Sequence, residues 1–136
     1  MKKEQAVVIL VYSPEYDAYL CVSRKSGLFG LPGGKVEKGD INANHAICRE
    51  VLEELGIRCF IDEVEYMGYV VNANYEIYIY TPKSYLHSLI LEQYPRSNMI
   101  TPENETTDYL SIESLCDKSI CEFYEENIGI IQVCCT

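Results

Sequence analysis

The chain has no tryptophan, only two histidines, and eleven basic residues set against twenty-one acidic ones. Each shortage removes a class of function. A formal net charge of −10 argues against non-specific nucleic-acid binding, which needs a basic surface to displace counterions. The two histidines, His45 and His87, and the lack of any Cys-x-x-Cys give zinc no ligand set. Apolar runs such as Ala6 to Tyr12 fall well short of a membrane span. The start, Met1-Lys2-Lys3-Glu4-Gln5, runs straight into a strand-like segment without a small-residue cleavage site, so a signal peptide is not expected. Seven cysteines form neither an even count nor a framework spacing, and they read as reduced thiols packed as small hydrophobes in a cytoplasmic protein. There is no internal repeat, low-complexity tract or linker.

What remains is 136 residues of ordinary globular composition, enough for one core and one domain, 1–136. Gln5 to Tyr12 reads as a buried strand, Ser13 to Asp17 as a turn, and Ala18 to Arg24 as the returning strand. Glycines at 27, 30, 33 and 34 surround a tight loop, Leu31-Pro32-Gly33-Gly34. A helical pattern covers about Ile41 to Leu55 and closes at Gly56, where a C-cap glycine belongs. Ile57 to Ile61, Tyr66 to Val71 and Tyr75 to Tyr80 read as strands, with Asn72-Ala73-Asn74 joining the last two. Pro82 to Tyr94 fits a short helix better than a strand. Pro95 to Thr107 reads as a loop, Tyr109 to Ile112 as a last strand, and Ser114 to about Asn127 as a closing helix. A mixed sheet with one helix inserted early and another late gives an α/β or α+β fold.

The chemistry concentrates on the early helix. Residues three and four apart share a face, so Glu50, Glu53 and Glu54 fall together, and Ile47, Cys48, Val51, Leu52 and Leu55 cover the opposite arc. Three like charges destabilise a helix by a few tenths of a kcal/mol per pair, roughly, and two of these sit in the last turn, where the macrodipole prefers cations. Hard oxygen donors clustered in this way suit Mg²⁺ or Mn²⁺, which turns repulsion into coordination. The glycine loop a few residues upstream permits positive φ and close backbone approach to a metal or phosphate.

Taken together, Gly34 and the run Arg49-Glu50-Val51-x-Glu53-Glu54-x-Gly56-Ile57 resemble the Nudix box, G-x5-E-x7-R-E-U-x-E-E-x-G-U, over about 25 residues. One position departs from it. Asp40 stands where the first Glu belongs counting from Gly34, but eight residues separate it from Arg49, consistent with a one-residue insertion and a shorter substitute or helix cap at Asp40.

The resemblance implies a sandwich with a mixed sheet between helices, and a divalent-metal hydrolase of pyrophosphate bonds. It implies that Glu50, Glu53 and Glu54, with the Gly33 carbonyl, hold Mg²⁺ or Mn²⁺, and that Arg49 orients the acids. It further implies a catalytic acid from a late loop, here Glu103 or Glu105, followed by Tyr109 where many relatives carry Trp. Arg24, Lys25 and Lys35 are candidates to meet substrate phosphates. Tyr75, Tyr78, Tyr80 and Tyr85 either stack on a base or form sheet surface. His45 reads as a surface residue, and Asn104-Glu105-Thr106 as an accidental sequon. The implied partner is a small nucleotide: a nucleoside diphosphate linked to another group, such as a (d)NTP in a MutT-like enzyme, or ADP-ribose, NAD(H) or a dinucleoside polyphosphate. A non-catalytic nucleotide sensor is the rival reading, and the chain is expected to be a monomer or homodimer.

Overall fold

A computed structural model describes residues 3–23, 29–71 and 75–111. Four strands form the first sheet: β1 (Glu4–Ile9), β5 (Gly33–Lys35), β6 (Val64–Val71) and β7 (Tyr75–Pro82). They lie in the order β5-β1-β7-β6, with β1 and β7 parallel and the other pairs antiparallel. The second sheet is built on β3 (Ala18–Ser23). One edge of β3 is shared by β2 (Tyr12–Ser13) and β4 (Phe29–Gly30), and β8 (Thr107–Leu110) lies along the other. The run Gln5 to Tyr12 is therefore two strands rather than one, and it passes from the first sheet to the second through Leu10 and Val11. Two backbone bonds hold that crossing, Leu10 N–H to the Tyr80 carbonyl and Leu20 N–H to the Val11 carbonyl.

Helix α1 (Ala43–Leu55) starts two residues later than the apolar pattern suggests. Ile41 is 85% exposed and gains nothing from joining it. The Asn42 side chain accepts the His45 N–H at 3.0 Å, which makes Asn42, not Asp40, the N-cap. Gly56 at φ 71° ends the helix in the left-handed region, its N–H returning to the Leu52 carbonyl. Helix α2 (Ser84–Gln93) confirms the helical reading of the Pro82–Tyr94 stretch. Its end satisfies the end of α1, since the Tyr94 hydroxyl and the Gln93 amide both donate to the Leu55 carbonyl.

Ala46, Ile47, Val51 and Leu55 of α1 pack with Leu86 and Ile90 of α2 against Val7, Ile9, Leu20, Val22 and Tyr80 of the sheets. Each fully buried Leu or Ile contributes about 1.5–3 kcal/mol here. A second cluster, Leu10, Tyr12, Tyr19, Cys21, Leu31, Ile77 and Ile79, occupies another part of the core. The result is the mixed α+β architecture that the order of elements implied. Ile57 to Ile61 is not a strand. It is unpaired chain that tucks Ile57 and Cys59 into the core and ends in a short 3₁₀ turn, Ile61–Glu63. Of the described cysteines, Cys21 and Cys59 are buried, Cys48 is half-buried, and all three are free thiols. No helix among the described residues is long and apolar enough to cross a membrane. The closing helix, the Asn72–Asn74 turn and the cysteines at 116, 121, 134 and 135 fall outside the described residues.

Candidate metal and hydrolase site

The glycine segment is a strand, not a free loop. Gly33 and Gly34 pair with Val8 and Val7 of β1. Gly33 sits at φ +152°, and a Cβ on it would meet the Val7 carbonyl oxygen at 2.0 Å, so only glycine fits. At Gly34 a Cβ would meet the Glu50 carboxylate at 2.7 Å, which shows that this side chain lies directly over the strand. The close approach of β5 to α1 is what the two glycines permit.

That approach explains the largest departure from the helical arithmetic. The acids do not form a face opposite the apolar one. Counting about 100° per residue from Glu50, the buried side chains run from Ala46 through Glu54, Ile47 and Val51 to Leu55. Glu54 therefore stands within the buried arc at 2% exposure, while Leu52 is 43% exposed. Burying a carboxylate is costly unless it is hydrogen-bonded. The Gly33 N–H donates to Glu54 Oε2 at 2.5 Å. Sequence spacing gave no sign of this contact, because its donor belongs to the backbone of a distant strand.

The late acids arrive at the same point. Ile100 and Thr106 bridge, and the turn between them is locked by paired backbone bonds between Thr101, Asn104 and Glu105, with Asn104 at φ 61°. Thr106 is anchored to Ser23 of β3 through both the Ser23 backbone N–H and the Ser23 hydroxyl. Pro102 lies against Gly56 at the end of α1. This turn brings Glu103 and Glu105 to Glu54, with one carboxylate oxygen from each lying within 4.8 Å of the others. Both late-loop candidates thus join the helix acid.

Arg49 organises the remaining acids. Its Nε and Nη2 donate to Asp40 at 2.9 Å each, its Nη1 to Glu50 and Glu53 at 2.9 Å, and its Nη2 also to the Lys35 carbonyl at 3.0 Å. Asp40 is therefore an anchor for the arginine, and the extra residue before the helix leaves that pairing intact. The Arg49 guanidinium holds the Asp40 carboxyl below the usual carboxylate range, and the reciprocal bonds raise the arginine's own pKa. Burial pushes Glu50 up, overcoming its bond to Arg49, and the charges of Glu53 and Glu103 act in the same direction. Glu53 has its side chain 44% exposed and turned to Arg49. The three helix acids thus have three different surroundings: Glu54 with the late turn, Glu50 over Gly34, and Glu53 at the rim.

Other expected contacts lie elsewhere. Lys35 pairs with Glu4 at 3.2 Å and lies over the Tyr75 ring, a pairing that raises its pKa. The Tyr109 hydroxyl donates to the Tyr94 carbonyl and its ring packs on Tyr16, with burial raising its pKa to about 12. His45 Nδ1 accepts the Ile41 N–H at 3.1 Å at the exposed start of the helix. Arg24 and Lys25 fall outside the described residues.

Carboxylates gathered beside a glycine strand, at the end of a helix on a mixed sheet, form a donor set of the kind that can hold a hard cation. The NUDIX domain family profile matches residues 2–127, and the chain belongs to that family. No curated protein matches it in sequence. Among solved structures, a NUDIX hydrolase from Nitrosomonas europaea superposes with a TM-score of 0.62 at 15% identity, covering 94% of this chain and 90% of that one. MutT, described from Aliivibrio salmonicida and Vibrio cholerae, gives 0.55 at 18% identity with 98% of both chains covered. A MutT/nudix family protein from Enterococcus faecalis gives 0.51 at 23% identity over 60% of this chain, a match spanning only 37% of that longer protein. At these identities the likeness is one of fold.

Proposed function

We propose that this chain, acting as a single domain over residues 1–136, hydrolyses the pyrophosphate bond of a nucleoside diphosphate linked to another group, with Mg²⁺ or Mn²⁺ as cofactor. The observation that carries the reading is the convergence of Glu54, Glu103 and Glu105 beside the glycine strand. Three oxygen donors at this spacing fit a small hard dication, which would offset their mutual repulsion and the local excess of negative charge. Glu54, Glu103 and Glu105 would hold it, with Glu50 and Glu53 available to a second ion and Gly33 fixing Glu54. The ion supplies Lewis-acid stabilisation of charge on the phosphate oxygens.

The chain's own groups do the rest. Arg49 aims Glu50 and Glu53 through hydrogen bonds whose forked geometry a lysine cannot reproduce. A late-turn carboxylate, Glu103 or Glu105, takes a proton from the attacking water. The water oxygen bonds to one phosphorus as the bridging P–O bond breaks, and the bridging oxygen leaves with the other phosphate. Arg24, outside the described residues, together with Lys35 and Tyr109, is proposed to bind substrate; for Lys35 and Tyr109 this requires release from Glu4 and from the Tyr94 carbonyl. A MutT-like (d)NTP pyrophosphohydrolase in the cytoplasm, monomeric or homodimeric and without nucleic-acid or membrane partners, is the form proposed.

The test is a panel of nucleotides, among them (d)NTPs, ADP-ribose, NADH and dinucleoside polyphosphates, incubated with purified protein and Mg²⁺ or Mn²⁺ and resolved by chromatography. Cleavage between phosphorus atoms is expected for at least one compound, and loss of that cleavage in Glu53→Gln and Glu54→Gln with the fold retained. Binding without turnover of any compound would instead identify a nucleotide sensor.

A further inference from the structure

On the other flank of α1 lies a cleft of about 230 Å³, lined by Asn42, Ala43 and Asn44 from the helix start and by Tyr66, Tyr78 and Tyr80 from β6 and β7. Asn44 is six residues before Glu50, which places it about 120° round the helix and about 9 Å along its axis from that acid. The cleft is therefore separate from the carboxylate site. Its wall is aromatic: the Tyr66 ring stands 5.5 Å from that of Tyr80 and 6.2 Å from that of Tyr78, at 58° and 38°. Tyr66 is 48% exposed, so part of its ring is open to a stacking partner.

The polar groups are equally specific. The Tyr80 hydroxyl donates to Asn44 Oδ1 at 2.6 Å, and Asn42 Oδ1 accepts the His45 N–H. Both amide oxygens are engaged, so the amide nitrogens of Asn42 and Asn44 are the ends left to donate. Among the described residues, no charged side chain lines the cleft. Aromatic faces beside amide donors suit a planar ring with acceptor atoms on its edge.

We propose that this cleft is a second site that binds the base of a nucleoside, stacked on Tyr66 and held by donation from Asn44. The proposal does not depend on the hydrolase reading, because the ligand needs neither phosphate nor metal.

The experiment titrates adenosine, guanosine, cytidine and uridine separately into the full chain by calorimetry without divalent metal. At least one should bind saturably. Tyr66→Ala should weaken it about tenfold or more, in line with the loss of one base–aromatic stack, and Tyr66→Phe should leave it within about twofold. Asn44→Asp keeps an acceptor for Tyr80 but replaces the donor, and should likewise weaken binding about tenfold. Glu54→Gln should bind the nucleoside as the parent protein does. The proposal is overturned if no nucleoside binds, if Tyr66→Ala and Asn44→Asp bind like the parent, or if Glu54→Gln abolishes binding and so places the base in the acid site. A matching unfolding temperature for the Asn44→Asp protein separates lost contact from lost fold.

Discussion

Glu54 shows how much a single residue's surroundings decide. As one of three glutamates in a motif it looks equivalent to Glu50 and Glu53, yet it alone is enclosed, held by the Gly33 amide and met by two acids from a distant turn. The motif singled out the three acids and the arginine, and the structure joins Arg49 to Glu50 and Glu53 by hydrogen bonds. The motif did not distinguish the acids' roles, because the groups that separate them, the β5 backbone and the late turn, are remote in sequence. Asp40 was legible as an altered position, and the Arg49 pairing nine residues away gives it a purpose. At this scale Gly33 is the least replaceable residue. Gly33→Ala forces a Cβ into the Val7 carbonyl, and we predict a loss of about 1–3 kcal/mol, the range for overpacking and backbone displacement. Thermal unfolding should show it as a fall of roughly 5 °C or more; an unchanged midpoint would mean that β5 does not pack as described.

Among the elements, those with a clear period were the ones readable in advance. β3 and β7 carry β-branched and aromatic residues with partners on both sides, and α1 carries a helical apolar period and its C-cap glycine. Glycine-rich β5 could not be read as a strand, since its pairing depends on lacking side chains. Ile57 to Ile61 has strand composition but pairs with no described strand, and it buries Ile57 and Cys59 in the core instead. The start of α1 turned on one hydrogen bond. Asn42→Ala removes that bond and should destabilise the protein by about 1 kcal/mol, with Asn42→Asp or Asn42→Ser restoring most of it. Urea unfolding measures this directly; equal midpoints for the alanine and parent proteins would move the cap elsewhere.

The whole molecule is acidic, tyrosine-rich and held by two apolar clusters, and its pH behaviour follows from that. Burial raises the phenol pKa values of Tyr80 and Tyr109 to about 12, above the ordinary value near 10. A folded pKa raised above the unfolded one gives stability that is complete below about pH 10 and lost as pH climbs through 10 towards 12. The native state should therefore weaken steeply across that window, with the phenolate absorbance of these two rings appearing only together with unfolding. Ionisation of all described tyrosines in the intact protein near pH 10 would contradict the packing. At the same scale, a chain of net charge −10 that gathers acids at one point is suited to a bound dication.

The central claim is that Glu54 and the late-turn acids hold the cation on which hydrolysis depends. Electron paramagnetic resonance of a Mn²⁺ titration, with turnover followed in the same samples, tests it most directly. The parent protein should bind Mn²⁺ and hydrolyse its best nucleotide, whereas Glu54→Gln should bind the ion at least about tenfold more weakly and show no turnover. Undiminished Mn²⁺ affinity and turnover in Glu54→Gln would contradict the account.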